Sequence, residues 1–159
     1  MQILPLSPVL APYFDAYNRA WISEFFVVEP IDDYVLKNPQ EAILDKGGEV
    51  WFAVEDASDG KEVLGCYALR PLADGRLEFT KFAVPPHLQG RGIGKALLAH
   101  AQERARARGL KELWIYTSSS LEGAGAMYRK AGFIDMPFTD ADRDAYQRAD
   151  VMLKKVLSA

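Results

Sequence analysis

The residues with the clearest chemical meaning lie together in Gln89-Gly90-Arg91-Gly92-Ile93-Gly94-Lys95, between an apolar run and a long amphipathic stretch. Three glycines at alternate positions leave the backbone uncovered, so successive N–H groups can converge on one ligand. A helix that starts here adds roughly half a positive charge at its N-terminus. Arg91 and Lys95 supply full cations beside it. This pattern favours an anion, above all a phosphate, and a plain tight turn has no need of three glycines next to two cations.

Two familiar phosphate motifs do not fit. A P-loop needs Gly, four residues, then Gly-Lys-Ser/Thr, but Gln89 stands where the first Gly belongs and Ala96 replaces the hydroxyl that would bind magnesium. A dinucleotide fingerprint needs a third Gly at Lys95 and an acidic ribose ligand at the end of the next strand, where Leu113 to Thr117 offers none.

A second chemical residue is Glu78, a charge inside the apolar run Leu77 to Val84. Strict alternation puts it on one face with Thr80, Phe82 and Val84, opposite Leu77, Phe79, Lys81 and Ala83. A carboxylate there is either at an exposed edge or lining a cleft, and in a cleft it can act as a general base. His87, in a Pro-rich loop, and His100, within the amphipathic stretch, read as surface residues.

The run Leu77 to Pro85, the loop Gln89 to Leu98, the stretch Thr117-Ser118-Ser119-Ser120-Leu121 and the run Ala126-Met127-Tyr128-Arg129-Lys130-Ala131-Gly132-Phe133 together resemble the GCN5-related N-acetyltransferase (GNAT) family over nearly the whole chain. The loop matches that family's Gln/Arg-x-x-Gly-x-Gly/Ala pyrophosphate loop, and Tyr-x-Lys-x-Gly-Phe follows at the family's distance. The resemblance implies an acetyl-CoA site. In it the backbone of Phe82, Ala83 and Val84 meets pantetheine, and the amides of Gln89, Gly90, Arg91, Gly92, Ile93, Gly94 and Lys95 hold the diphosphate. Ser118 and Ser119 line the next strand's end, with Ser118 where close relatives usually carry Asn. Tyr128 matches the tyrosine whose hydroxyl can stabilise or protonate the departing thiolate, although it also reads as a residue that packs a helix onto the sheet. The family often places a Glu on the strand of Glu78. The acceptor site would be walled by Trp21, Phe25, Phe26, Glu29 and Asp33, with Tyr146 and Arg148 opposite. Core packing explains Trp21 and Phe25 equally well.

The elements that must position these residues alternate along the chain. A short strand near Gln2 to Leu6 precedes a helix from about Leu10 to Val28, with Phe14, Tyr17, Trp21, Phe25 and Val28 on one face and Pro30 as its stop. Short helices follow at Ile31 to Leu36 and Gln40 to Asp45. Strands at Glu49 to Val54, Val63 to Leu69 and Leu77 to Val84 form an antiparallel meander joined by turn chemistry at 56–60 and 73–75. A helix from Gly92 to Arg108 is capped by Gly109. A strand at Leu113 to Thr117, a helix at about Gly123 to Ala131, and strands near Phe133 and from Asp150 to Leu157 complete the chain. The strand, helix, strand unit from Leu77 to Thr117 calls for parallel pairing, so the sheet should be mixed. The fold class expected is α/β with a mixed central sheet of six or seven strands and four or five helices, of the acyl-CoA N-acyltransferase type. It reads as one domain over 1–159: acceptor-side helices at 10–46, an acetyl-CoA core at 49–133 and C-terminal strands at 133–157.

Composition narrows the function classes. The 159 residues are 49% hydrophobic and 26% charged, enough apolar material for a core. A net charge of -3 argues against a polyanionic partner such as nucleic acid. Acidic residues are concentrated at 22–56, nine against Lys37 and Lys46, which hints at a cationic amine. Six basic residues against Glu103 at 88–111 suit an anion, with Arg104, Arg106 and Arg108 complementing the negative end of a helix. The lone Cys66 excludes an intramolecular disulfide or a multi-Cys zinc site and is not placed to carry an acyl group. No signal peptide or membrane span is visible, so cytoplasm is the expected compartment, and a homodimer is compatible with the sequence. The expected reaction is transfer of an acetyl group from acetyl-CoA to a primary amine of a small molecule or peptide, by direct attack without a metal. The rivals are a silent acyl-CoA-binding sensor and an ATP-binding protein.

Overall fold

The computed structural model describes residues 1–139, 142 and 148–158. Among them, seven strands form one mixed sheet: β1 (Gln2–Pro5), β2 (Glu49–Ala57), β3 (Gly60–Pro71), β4 (Leu77–Ala83), β5 (Glu112–Thr117), β6 (Ile134–Met136) and β7 (Val151–Val156). Their spatial order is β1-β2-β3-β4-β5-β7-β6. The helices are α1 (Ala11–Phe25), α2 (Pro30–Lys37), α3 (Pro39–Ala42), α4 (Ile93–Ala107) and α5 (Glu122–Lys130). Only β4 and β5 run parallel, as a helical crossover through α4 requires, and the other pairs are antiparallel.

The sheet is covered on both faces. Leu97, Leu98 and Ala101 of α4 and Tyr128 of α5 pack against Leu77, Phe79, Leu113 and Ile115 on one face. Phe14 and Ile22 of α1 and Leu36 of α2 pack against Phe52, Cys66 and Ala83 on the other. Burial pushes the Cys66 thiol up to about 12, which keeps it protonated and inert.

Four sequence expectations need correction. The buried stripe of α1 is Phe14, Asn18 and Ile22, a strict spacing of four, while Phe25 is 54% exposed and Val28 lies beyond the helix. Asn18 is buried because its amide donates to the Phe14 carbonyl and its oxygen accepts from Trp21 Nε1. Pro30 does not stop α1; it is the first residue of α2, where its missing N–H costs nothing, and Glu29 and Asp32 form a reciprocal capping box around it. His100 is not a surface residue: its Nδ1 lies 2.7 Å from the Tyr67 hydroxyl and its ring stands edge-on to Trp51. Nor do the basic residues of the long helix simply complement its end, since Arg104 and Arg108 both pair with Glu49 of β2, at 2.8 and 2.9 Å.

Alternation in β4 fails at one place. Cys66 pairs with Ala83 and Ala68 with Thr80, so Lys81 and Phe82 together stand opposite Tyr67. This is a β-bulge, and Lys81 has a φ of 52°, a left-handed conformation uncommon for a residue with a Cβ. The extra residue flips the pattern. Phe79 and Phe82, three apart, now share a face with ring centroids 5.3 Å apart, whereas the side chain of Lys81 turns toward α2. The expectation that Phe82 shares a face with Glu78, opposite Lys81, is therefore overturned.

Candidate active site

The cavity begins where β4 leaves β5. The two strands are in register only at Glu78 with Trp114 and Phe79 with Ile115. Past this point the bulge carries β4 away, while β5 continues with β7 to Thr117. The gap widens into a cavity of about 750 Å³ that runs from Glu78 past Phe82, Ala83 and Val84 to Gly92 and Lys95.

At one end stands the glycine loop. Gly92 is the N-cap of α4 at φ 80°, and no side chain caps the helix. The amides of its first turn are thus left for a ligand. Gly94 serves packing: a Cβ there would come within 2.9 Å of the Phe82 ring, so only glycine lets α4 press against the bulge. Gln89 anchors the loop by donating from Nε2 to the Val84 carbonyl at 3.0 Å. Gly90, Ile93 and Lys95 also line the cavity. Arg91 does not; its guanidinium pairs with Glu55 at 3.1 Å on the outer side of the loop.

Glu78 sits mid-cavity. Its strand is central, not an edge, and the residue is only 3% exposed. A buried carboxylate needs a partner, and Arg70 on β3 supplies one, with Nε and Nη2 at 3.0 and 2.8 Å from Oε1. Tyr128 on α5 is buried against Phe79, Phe82 and Phe133 yet lines the same cavity. Burial raises the pKa of its hydroxyl, which keeps it protonated at neutral pH. Its ring therefore packs the helix onto the sheet while the residue also forms part of the cavity wall.

The remaining sequence candidates divide. Ser118 is buried, lines the cavity and lies 2.8 Å from Ser120 through their hydroxyls. Ser119 points away, giving its N–H and hydroxyl to Asp150 at 2.7 Å each. Trp21, Phe25, Phe26 and Arg148 line the cavity. Glu29 stands behind Arg148 at 3.2 Å. Asp33 faces outward, paired with Lys37 and Arg19. Tyr146 lies outside the described residues.

Sequence reading missed Asp32 and Lys81. Asp32 is fully buried, bonded to both Lys81 and Arg148. Burial alone would raise its pKa, but the hydrogen bond from Arg148 and the charge of Lys81 outweigh this and hold the carboxyl below its usual range. The signal that could have singled it out is Glu29-Pro30-Ile31-Asp32, a Pro-initiated capping box whose second acid must turn back toward the helix start.

Residues 13–133 match the model of the acetyltransferase (GNAT) family. The chain belongs to this family. The GNAT fold is an acyltransferase scaffold whose donor is acetyl-CoA, and the uncapped helix start, the splayed strands and the cavity joining them fit such a donor. An amino-acid acetyltransferase from Ralstonia nicotianae is 31% identical over 138 residues, which is 82% of this chain but 29% of that protein. A ribosomal protein bS18-alanine N-acetyltransferase from Escherichia coli is 29% identical over 105 residues, 62% of this chain and 70% of the other. The chain thus spans less than a third of the amino-acid acetyltransferases it matches. Among solved structures, a GNAT acetyltransferase from Staphylococcus aureus superimposes with a TM-score of 0.84 over 99% of both chains at 16% identity. An N-acetylglutamate synthase from Neisseria gonorrhoeae, complexed with coenzyme A and L-arginine, does so with a TM-score of 0.67 over 99% of this chain and 33% of its own, at 21% identity. At such identities the likeness shows the GNAT fold alone. No helix among the described residues is long and apolar enough to cross a membrane.

Proposed function

We propose that the protein transfers the acetyl group of acetyl-CoA to a primary amine of a small molecule or peptide by direct attack. The single observation that carries this reading is the continuous cavity that brings Glu78 and Tyr128 together with the uncapped start of α4. When bound, acetyl-CoA supplies a thioester whose acyl carbon a neutral amine can attack. The first-turn amides of α4 hold the diphosphate and the backbone of Phe82 to Val84 meets the pantetheine arm. Glu78 takes the proton from the attacking nitrogen, directly or through a water, as the new C–N bond forms. Tyr128 gives its hydroxyl proton to the sulfur as the C–S bond breaks.

The acceptor wall joins the aromatic residues Trp21, Phe25 and Phe26 to a floor that bears the Glu78 carboxylate. That combination suits an amine cation that must lose a proton beside Glu78. The alternative, an acyl-CoA sensor without turnover, leaves Glu78 and Tyr128 in the cavity with only structural tasks, an ion pair to Arg70 and ring packing. The test is CoA thiol release across polyamines, amino acids and peptides, with acetyl-CoA and ATP compared by thermal shift. Amine-dependent release and stabilisation by acetyl-CoA alone are expected. Stabilisation without release from any amine would favour the sensor.

A further inference from the structure

Both oxygens of Asp32 are fully engaged. Oδ1 accepts from Lys81 Nζ at 3.2 Å and Arg148 Nη2 at 2.7 Å, and Oδ2 accepts from Arg148 Nη1 at 2.8 Å and the Glu29 N–H at 2.9 Å. The Lys81 and Asp32 side chains are 3% and 0% exposed, and that of Arg148 is 12% exposed. One carboxylate thus joins three chain segments that are far apart in sequence. These are the start of α2, the bulge of β4 and the segment before β7.

What it holds is strained. Lys81 is the one non-glycine residue at positive φ among the described residues, and such a conformation costs on the order of 1–3 kcal/mol unless its surroundings enforce it. The enforcement comes from the side chain. Lys81 Nζ must reach across to Asp32, and a buried ammonium cannot give up its counter-charge without a large desolvation cost. The bulge then re-aims the backbone of Thr80 to Phe82 along the cavity, at the place where β4 parts from β5. Arg148, on the same carboxylate, lines the acceptor end and lies over the rings of Trp21 and Phe26, at 5.8 and 5.9 Å.

We propose that Asp32 is a positioning residue, which sets the donor-side bulge through Lys81 and the acceptor wall through Arg148 as one unit. The inference rests on the acetyl-CoA reading above, because it assigns the acyl end of the donor to the bulge. It adds that the donor and acceptor halves of the site share a single buried anchor, outside the reacting groups. Asp32→Asn keeps the shape but removes the charge that faces Lys81 and Arg148, although Glu29 still pairs with Arg148, and Lys81→Met removes the link from Asp32 to the bulge while the Asp32 and Arg148 pair stays.

The experiment measures acetyl-CoA and CoA affinity by calorimetry for wild type and both variants, together with kcat on whichever amines the wild type acetylates. The phosphate loop is untouched, so CoA should bind within about twofold of wild type, while acetyl-CoA weakens about tenfold and kcat falls about 10²-fold, the scale of a small misplacement. A merely structural role would lower the melting temperature and leave both the acetyl-CoA to CoA affinity ratio and kcat unchanged. That result in a folded Asp32→Asn protein, or in Lys81→Met if the first does not fold, would overturn the proposal. A wild type that binds acetyl-CoA but acetylates no amine would sink the transferase reading alone, since the affinity ratio still decides the role of Asp32.

Discussion

Gly94 stands so close to Phe82 that a Cβ on it would lie 2.9 Å from the ring's Cζ. The first turn of α4 and the bulge of β4 are therefore in direct contact, and the glycine loop is braced by β4. Any side chain at Gly94 must push the two apart. At Gly92, with φ 80° and nothing within 4 Å, the obstacle is conformational and electrostatic.

Gly92→Asp and Gly94→Asp should each abolish measurable acetyl-CoA binding, through a carboxylate placed where a diphosphate must approach amides. Gly94→Ala, which adds no charge, should weaken it as well, whereas Gly92→Asn, which tolerates the left-handed region, should weaken it least. Calorimetry on folded variants checks this order. Unchanged affinity in both Asp variants would remove the loop from the site.

Glu78→Gln should keep acetyl-CoA affinity and lower turnover about 10²-fold near neutral pH, the scale of a lost general base. The deficit should narrow as pH rises and more of the amine is already neutral. Because Arg70 pairs with Glu78 at 2.8 Å, Arg70→Met should shift the pH profile of kcat/KM where Arg70→Lys shifts it less. Wild-type rates for Glu78→Gln across pH would return Glu78 to a purely structural ion pair.

Tyr128→Phe preserves the ring packed on Phe79, Phe82 and Phe133, so the melting temperature should hardly move. The value of kcat should fall about 10-fold to 10³-fold with donor affinity intact, because an interaction made with developing charge is lost. An acetyl thioester of a more acidic thiol should recover part of the rate. Unaltered kcat, under conditions where chemistry limits, would assign the proton to water.

His100 gives a pH dependence that is separate from catalysis. Burial lowers its pKa, with the nearby Arg104 charge acting in the same direction. The folded state therefore binds fewer protons than the unfolded chain once pH falls below about 6.5, and stability rises with pH through that window. The contribution is fully present above the unfolded value and is lost as pH falls through the lower folded one. As pH falls from about 7 to about 5, across the range in which histidine titrates, the melting temperature should drop more steeply for wild type than for His100→Gln. Equal slopes would contradict the assignment.

Much of this architecture is legible because the sequence follows simple rules where packing is regular. The meander is marked by apolar runs between turn residues, and α4 and the loop before it obey helical spacing and glycine punctuation. Reading failed where tertiary contacts override local rules. No propensity marks Lys81 as left-handed, since its conformation is enforced by Asp32, 49 positions away in sequence. Asp32 and Asp33 are adjacent and chemically identical, yet one is buried and the other is paired at the surface. Only the direction of the first turn of α2 separates them. Helical spacing groups Phe25 with the buried face of α1, whereas the stripe runs through Asn18, a polar residue made buriable by its hydrogen bonds to Phe14 and Trp21.

Mass analysis of the products formed from trideuteroacetyl-CoA and an amine panel tests acetyl transfer to nitrogen most directly. Direct transfer gives one labelled acetyl group on an acceptor amine for each CoA released, with no label left on the protein. Binding of acetyl-CoA with no labelled amine and no amine-dependent release of CoA would contradict it.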